Sequence, residues 1–260
     1  MSAAAVPAVP DDARMSLIEH LAELRDRLIK VVVAVVIGML IAFVLYNQIF
    51  EFLLGPYEDI ANQRPEATLG EGRLLLSDPL QGFAIRMKLA LYGGIAIAMP
   101  VILWQIWRFV TPGLYDHEKK YAVPFMVSAL SLFVLGAGLA YYTLPRALDF
   151  LIDIGGEDNF VTAFQPDKYF TLILYMMLAF GIGFEFPILL IFLQMAGIIT
   201  PRQLSGARRY AIVGICVLVA VITPSGDPIS MLMLSLPMIL FYEVSILIGR
   251  VIERRRSVPA

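Results

Sequence analysis

Six apolar runs follow one another along this chain, at residues 31–50, 89–109, 123–142, 169–194, 210–222 and 229–248, with only short polar segments between them. A bilayer core of roughly 30 Å takes about 20 apolar residues in a helix, each rising about 1.5 Å. In lipid the backbone must satisfy its own hydrogen bonds, which a helix does within one segment. The pattern therefore predicts an all-α, polytopic membrane protein with six transmembrane helices. An apolar share of 59% agrees, since soluble domains hold about 45–50%. The polar segments leave no room for a separate soluble domain of about 100 residues. The expected organisation is a disordered tail over residues 1–14, one membrane domain over 15–250 and a basic tail over 251–260.

The fifth run is short, rising only about 20 Å, and reads either as a re-entrant segment or as a span beside locally thinned bilayer. Charge favours the span. Lys and Arg concentrate on the cytoplasmic side of membrane proteins, and six spans put fourteen of the 20 basic residues on the side of the two tails. Five spans would strand Arg254, Arg255 and Arg256 outside. Both termini are accordingly expected in the cytoplasm. The opening MSAAAVPAVPDD lacks the apolar core of a signal peptide. Cys216 is alone and lies in an apolar run, so it reads as a small buried hydrophobe rather than part of a disulfide or metal site.

Between the second and third runs, residues 100–124 form a hairpin with Asp116, His117, Glu118, Lys119 and Lys120 at its tip. Trp104, Trp107, Phe109 and Tyr115 fall where an apolar helix leaves lipid for water, a place amphipathic rings favour. Ahead of the first span, Ser16 and Glu19 fit a capping box, and Leu17, Ile18, Leu21, Leu24 and Leu28 recur on one helical face. An amphipathic helix at the inner surface is expected there. On the outer side, residues 50–78 are broken by Gly55, Pro56 and Pro65 and read as short capping helices. Asp78 or Ser77 before Pro79 starts the second helix, with Arg86 and Lys88 at its outer rim, and Pro100 is expected to kink it. Residues 145–167 read as a solvated acidic outer loop.

Two acids lie inside apolar runs, where a charge costs roughly 2.5–3.5 kcal/mol even on insertion scales. Glu185 stands in FGIGFEFPIL, where Pro187 removes a backbone donor and a bend is expected. It reads either as a functional group or as a carboxyl bonded to a neighbouring helix. Glu243 lies seven residues before Arg250 on nearly the same face and close to the inner surface, which suits a snorkelling, packing or pairing role at least as well as a functional one. His20 and His117 both fall in inner-surface segments, and no hydrolase, nucleotide or dinucleotide motif is present. The basic residues are dispersed, which argues against nucleic acid. Binding or transport, without a cofactor or metal and without enzymatic chemistry, is the expectation.

Four stretches resemble the TatC family, the polytopic receptor subunit of the twin-arginine protein translocase: LIEHLAELRDRL, PVILWQIWRFVTPGLYDHEKK, FGIGFEFP, and ITP followed by Asp227. The resemblance runs from about residue 15 to 250. It implies a cup-shaped bundle of six helices in the cytoplasmic membrane that recognises twin-arginine signal peptides and exports folded proteins using the proton-motive force. Its implied partners are those peptides, TatA- and TatB-type single-span proteins, the bilayer and further copies of itself. By motif, Glu23 and Glu118 would meet the paired arginines, with Arg25 and Phe109 beside them. Glu185 and Gln105 match intramembrane polar and partner-contact positions, and Pro56, Pro100 and Asp227 match structurally sensitive ones.

Elementary electrostatics fits the two acids. Adjacent guanidinium groups repel unless carboxylates meet them, and Arg engages a carboxylate with two parallel hydrogen bonds where Lys cannot. The alternative for Glu23 is a pair with Arg27 one turn on, and for Glu118 a pair with Lys119 or Lys120. A proton-coupled carrier built on Glu185 would need broken helices in repeated halves, and the sequence has one candidate break and no matching half. A purely structural scaffold leaves the loop acids without a role.

Overall fold

The computed structural model describes residues 17–63, 74, 78–110, 122–155, 165–223 and 226–256. Among them the regular structure is helical: α1 (Leu17–Val44), α2 (Tyr46–Gln63), α3 (Pro79–Val110), α4 (Ala122–Gly155), α5 (Pro166–Phe184), α6 (Phe186–Met195), α7 (Pro201–Ile222) and α8 (Pro228–Arg256). Six helical stretches are long and apolar enough to cross a membrane, with α5 and α6 together making the fourth. Taken as spans, they put the start of α1 and the end of α8 on one face, called here the terminal face. The short helix α2 then lies on the opposite face.

The chain turns from α1 into α2 at Leu45, and α2 runs unbroken through Pro56 where several short helices were expected. Asp78 starts α3 as anticipated: its Oδ1 accepts from the Leu80 amide at 2.9 Å, and Pro79 takes the first helical position, where no donor is missed. Pro100 sits inside α3 without ending it.

Two boundaries differ from the sequence reading. Helix α4 continues through Pro145 to Gly155, so Asp149 and Asp153 ride on a helix rather than in a loop. Helix α7 begins at Pro201 and runs 22 residues, about 33 Å at 1.5 Å each, so the short apolar run is part of a full-length helix rather than a re-entrant segment. A reciprocal capping box between Thr200 and Gln203 starts it nine residues before the apolar run. Apolar windows miss such ends because interfacial helix turns are polar.

The core gathers around α5. Phe170, Ile173, Met176 and Phe180 are fully buried against Leu144 of α4, Leu234, Met238 and Ile246 of α8, and Tyr57 and Ile60 of α2. At the edge, α1 packs mainly against α3, and their backbones touch: a Cβ on Gly38 would lie 2.4 Å from the Gly94 carbonyl oxygen. Further along the same seam, the Arg86 guanidinium stacks on Phe43 and Tyr46 at 4.8 and 4.5 Å from the ring centroids. Gly38 opposite Gly94 and Tyr46 opposite Arg86 define an antiparallel register. Cys216, expected to be buried, is exposed, because α7 turns Ile215 and Val219 inward instead.

Candidate functional site

The seam between α1 and α3 leads to the terminal face. Residues 21–30 of α1 are exposed except for Glu23 and Arg27, which are half-buried. Four-residue steps connect them to Val31 and on to the packed face of Gly38 and Ala42, so the pair continues the stripe that meets α3. The antiparallel register sets them level with residues 105–109 of α3. Arg27 Nε donates to Glu23 Oε1 at 3.1 Å, and Arg27 Nη2 bonds the same oxygen. The sequence alternative of an i, i+4 pair is therefore real. Yet it engages one carboxylate oxygen only: Glu23 Oε2 is buried and without a hydrogen-bond partner among the described residues. Gln105 Oε1 on α3 is in the same condition.

Arg25 does not join this group. Its side chain is 72% exposed and pairs with Asp26 next to it, because two residues of helix turn it to the other side. Phe109 is half-buried at the end of α3. Glu118, with the rest of residues 111–121, lies outside the described residues. The helices on either side of those residues pack against each other. Trp107 of α3, Phe125 of α4 and Phe192 of α6 form an aromatic cluster, with the Trp107 and Phe125 centroids 4.5 Å apart and Phe192 edge-on to both. Trp107 is thus a core anchor, 4% exposed, and not the interfacial ring its position suggested. Trp104 is 40% exposed.

Glu185 sits at the break between α5 and α6. Its amide bonds Ile182 O, three residues back, and Pro187 offers no amide to Gly183, so the regular ladder lapses at both positions. That accounts for the bend expected at this acid. The side chain is half-buried, and its Oε1 is buried with no partner among the described residues. Gly181 lets Phe133 of α4 pack directly on the backbone beside it.

Glu243 does not pair with Arg250. It meets Arg208 of α7 in a two-bond clasp, Nε to Oε1 at 2.7 Å and Nη2 to Oε2 at 2.9 Å, while Arg250 donates to Ser205 Oγ at 3.1 Å. Tyr242 OH adds a bond to Leu204 O at 2.7 Å. The terminal end of α8 is thereby laced to α7. Sequence reasoning also passed over Gln194, which is 5% exposed and whose Nε2 donates to Leu190 O and across to Ser245 O of α8. A glutamine inside an apolar run was the available signal.

The remaining positions are structural. Pro56 is buried within α2. Asp227, 2% exposed, caps α8: its Oδ1 accepts from the Ser230 amide at 2.7 Å, with Pro228 at the first helical position. Among the described residues no group of His, Cys, Asp and Glu is placed to hold a metal.

A family model described as Sec-independent protein translocase protein (TatC) matches residues 19–237. The chain is 41% identical to the Sec-independent protein translocase protein TatC of Aquifex aeolicus, over 94% of this chain and 98% of that one. It is 38% identical to the TatC of Frankia casuarinae, over 94% of this chain and 68% of that protein. A crystal structure described as the twin arginine translocase receptor TatC superposes with a TM-score of 0.73 at 41% identity, covering 90% of this chain and 99% of that one. With a family model, two relatives at 38–41% identity and a solved fold in agreement, this chain belongs to the TatC family.

Proposed function

We propose that this chain is the receptor subunit of a twin-arginine protein translocase, a multi-pass protein of the cytoplasmic membrane with both termini in the cytoplasm. It binds twin-arginine signal peptides of folded proteins at the terminal face. With TatA- and TatB-type single-span partners, it exports the cargo using the proton-motive force. Its part is binding and transport rather than catalysis, carried by one membrane domain between two short tails.

The observation that supports this reading most is the state of Glu23. A carboxylate at the end of the α1–α3 seam keeps one oxygen buried and unpartnered among the described residues, which is costly unless a donor arrives. A guanidinium is such a donor. Glu118, in the segment between α3 and α4, supplies the second carboxylate for the second arginine. An exposed ion pair alone is worth about 0–1 kcal/mol, so the shielding at Glu23 and burial of the peptide's apolar stretch against the bundle carry the rest. Gln105 and Phe109, level with Glu23, flank the peptide, and Glu185 contacts a partner helix in the membrane.

A signal peptide carrying a photoreactive group beside its arginine pair tests the placement. Adducts at the start of α1 and within residues 111–121 are expected. Adducts confined to α2 or to the α7–α8 edge would refute it.

A further inference from the structure

The Glu23 carboxylate is held in an unequal way. Arg27 directs two of its N–H groups, on Nε and Nη2, to the single oxygen Oε1. A guanidinium facing a free carboxylate would commonly spread its donors over both oxygens in a fork. Here Oε2 is left buried and without a donor among the described residues. The pair is also shielded: the Arg27 and Glu23 side chains are 15% and 21% exposed, against 72% for Arg25 two residues away.

We infer that Arg27 is a positioning residue that sets the specificity of the site. It locks the Glu23 carboxylate so that only the sheltered oxygen, Oε2, receives the signal peptide, and by doing so it makes the site select arginine over lysine. This rests on the receptor reading above.

The physical argument has two parts. Arg27 already balances the Glu23 charge, so an incoming cation gains little from attraction alone, and a second positive group beside Arg27 is repelled by it. Docking must then be won by a hydrogen bond to an oxygen that water does not reach. An ammonium is compact and strongly hydrated, and it loses much of that hydration on entering such a place. A guanidinium is planar and more weakly hydrated, and it loses less. Released from Arg27, the carboxylate is free to swing towards water and present both oxygens. In that state the contact is solvent-exposed and worth about 0–1 kcal/mol for either cation, so even the two-bond fork open to arginine separates it from lysine less than the sheltered oxygen does.

The test is equilibrium binding of a twin-arginine signal peptide and its twin-lysine counterpart to the full chain in lipid nanodiscs. Wild type is compared with Arg27→Gln, Arg27→Lys and Glu23→Gln. The expected result is that Arg27→Gln lowers the arginine-to-lysine affinity ratio by about tenfold, the scale of one hydrogen bond to a charged group, chiefly through tighter twin-lysine binding. Arg27→Lys keeps the charge but not the two-bond hold, so the ratio falls in the same direction; it serves alone if Arg27→Gln does not fold. A merely structural role would reduce binding of both peptides together. A wild-type ratio in either folded Arg27 variant overturns the inference. If Glu23→Gln weakens twin-arginine binding while the Arg27 variants keep the wild-type ratio, only the role of Arg27 falls. If Glu23→Gln binds as tightly as wild type, the placement of the receptor site fails, and this inference with it.

Discussion

The Tyr141 hydroxyl donates to the carbonyl of Phe52 at 2.9 Å, and that carbonyl is the one Pro56 leaves without an amide, four residues on in α2. The two rings stack, 4.5 Å apart and 13° from parallel. Tyr169 of α5 adds a second bond to the next carbonyl, Leu53 O, at 2.6 Å. Thus Pro56, which breaks the internal bonding of α2, creates the acceptor through which α4 grips it. Tyr141→Phe is expected to cost about 1–2 kcal/mol, read as a lower unfolding temperature in detergent. Gly55→Ala would bring a Cβ within 2.7 Å of the Tyr141 oxygen and is expected to cost at least as much. Unchanged melting of both variants would show that the clamp contributes nothing.

Gln194 and Gly249 form a tighter constraint at the other face. A Cβ on Gly249 would lie 1.7 Å from Gln194 Oε1, so Gly249→Ala must expel the amide that joins α6 to α8. Overpacking of this kind costs about 1–3 kcal/mol. Gln194→Ala removes the clash, so the double variant should lose less than the two single losses added together. Additive losses in thermal unfolding would count against a shared contact.

Asp227 makes a simpler case. Its bond to the Ser230 amide is buried, and loss of an N-cap side chain costs roughly 0.5–2 kcal/mol. Asp227→Ala should therefore lower stability by about that amount, while Asp227→Asn, also a good cap, should stay near wild type. Equal melting of the Ala and Asn variants would remove the capping role.

The six spans were legible because apolar length is a property of local sequence, and so were the Glu23–Arg27 pair, the Asp78 cap and the bend at Glu185, each set within about one turn. What escaped were relations between helices. Seven residues on one helix suggested Glu243 with Arg250, yet the partner is Arg208 on α7, which periodicity along α8 does not reveal. Trp107 has the position of an interfacial ring, but Phe125 and Phe192 enclose it. Helices α4 and α7 outrun their apolar runs because Pro145 is accommodated inside one and a capping box starts the other early. That Glu23 keeps a buried oxygen with no partner among the described residues is a matter of tertiary packing, which one-helix periodicity does not reveal.

The most direct test of the receptor reading is the affinity of a twin-arginine signal peptide for the full chain in nanodiscs, before and after Glu23→Gln and Glu118→Gln. Each change removes a charged acceptor worth about 1.5–3 kcal/mol, so each is expected to weaken binding by about tenfold or more. Affinity unchanged in both variants would contradict the assignment of these two acids as the site where the paired arginines dock.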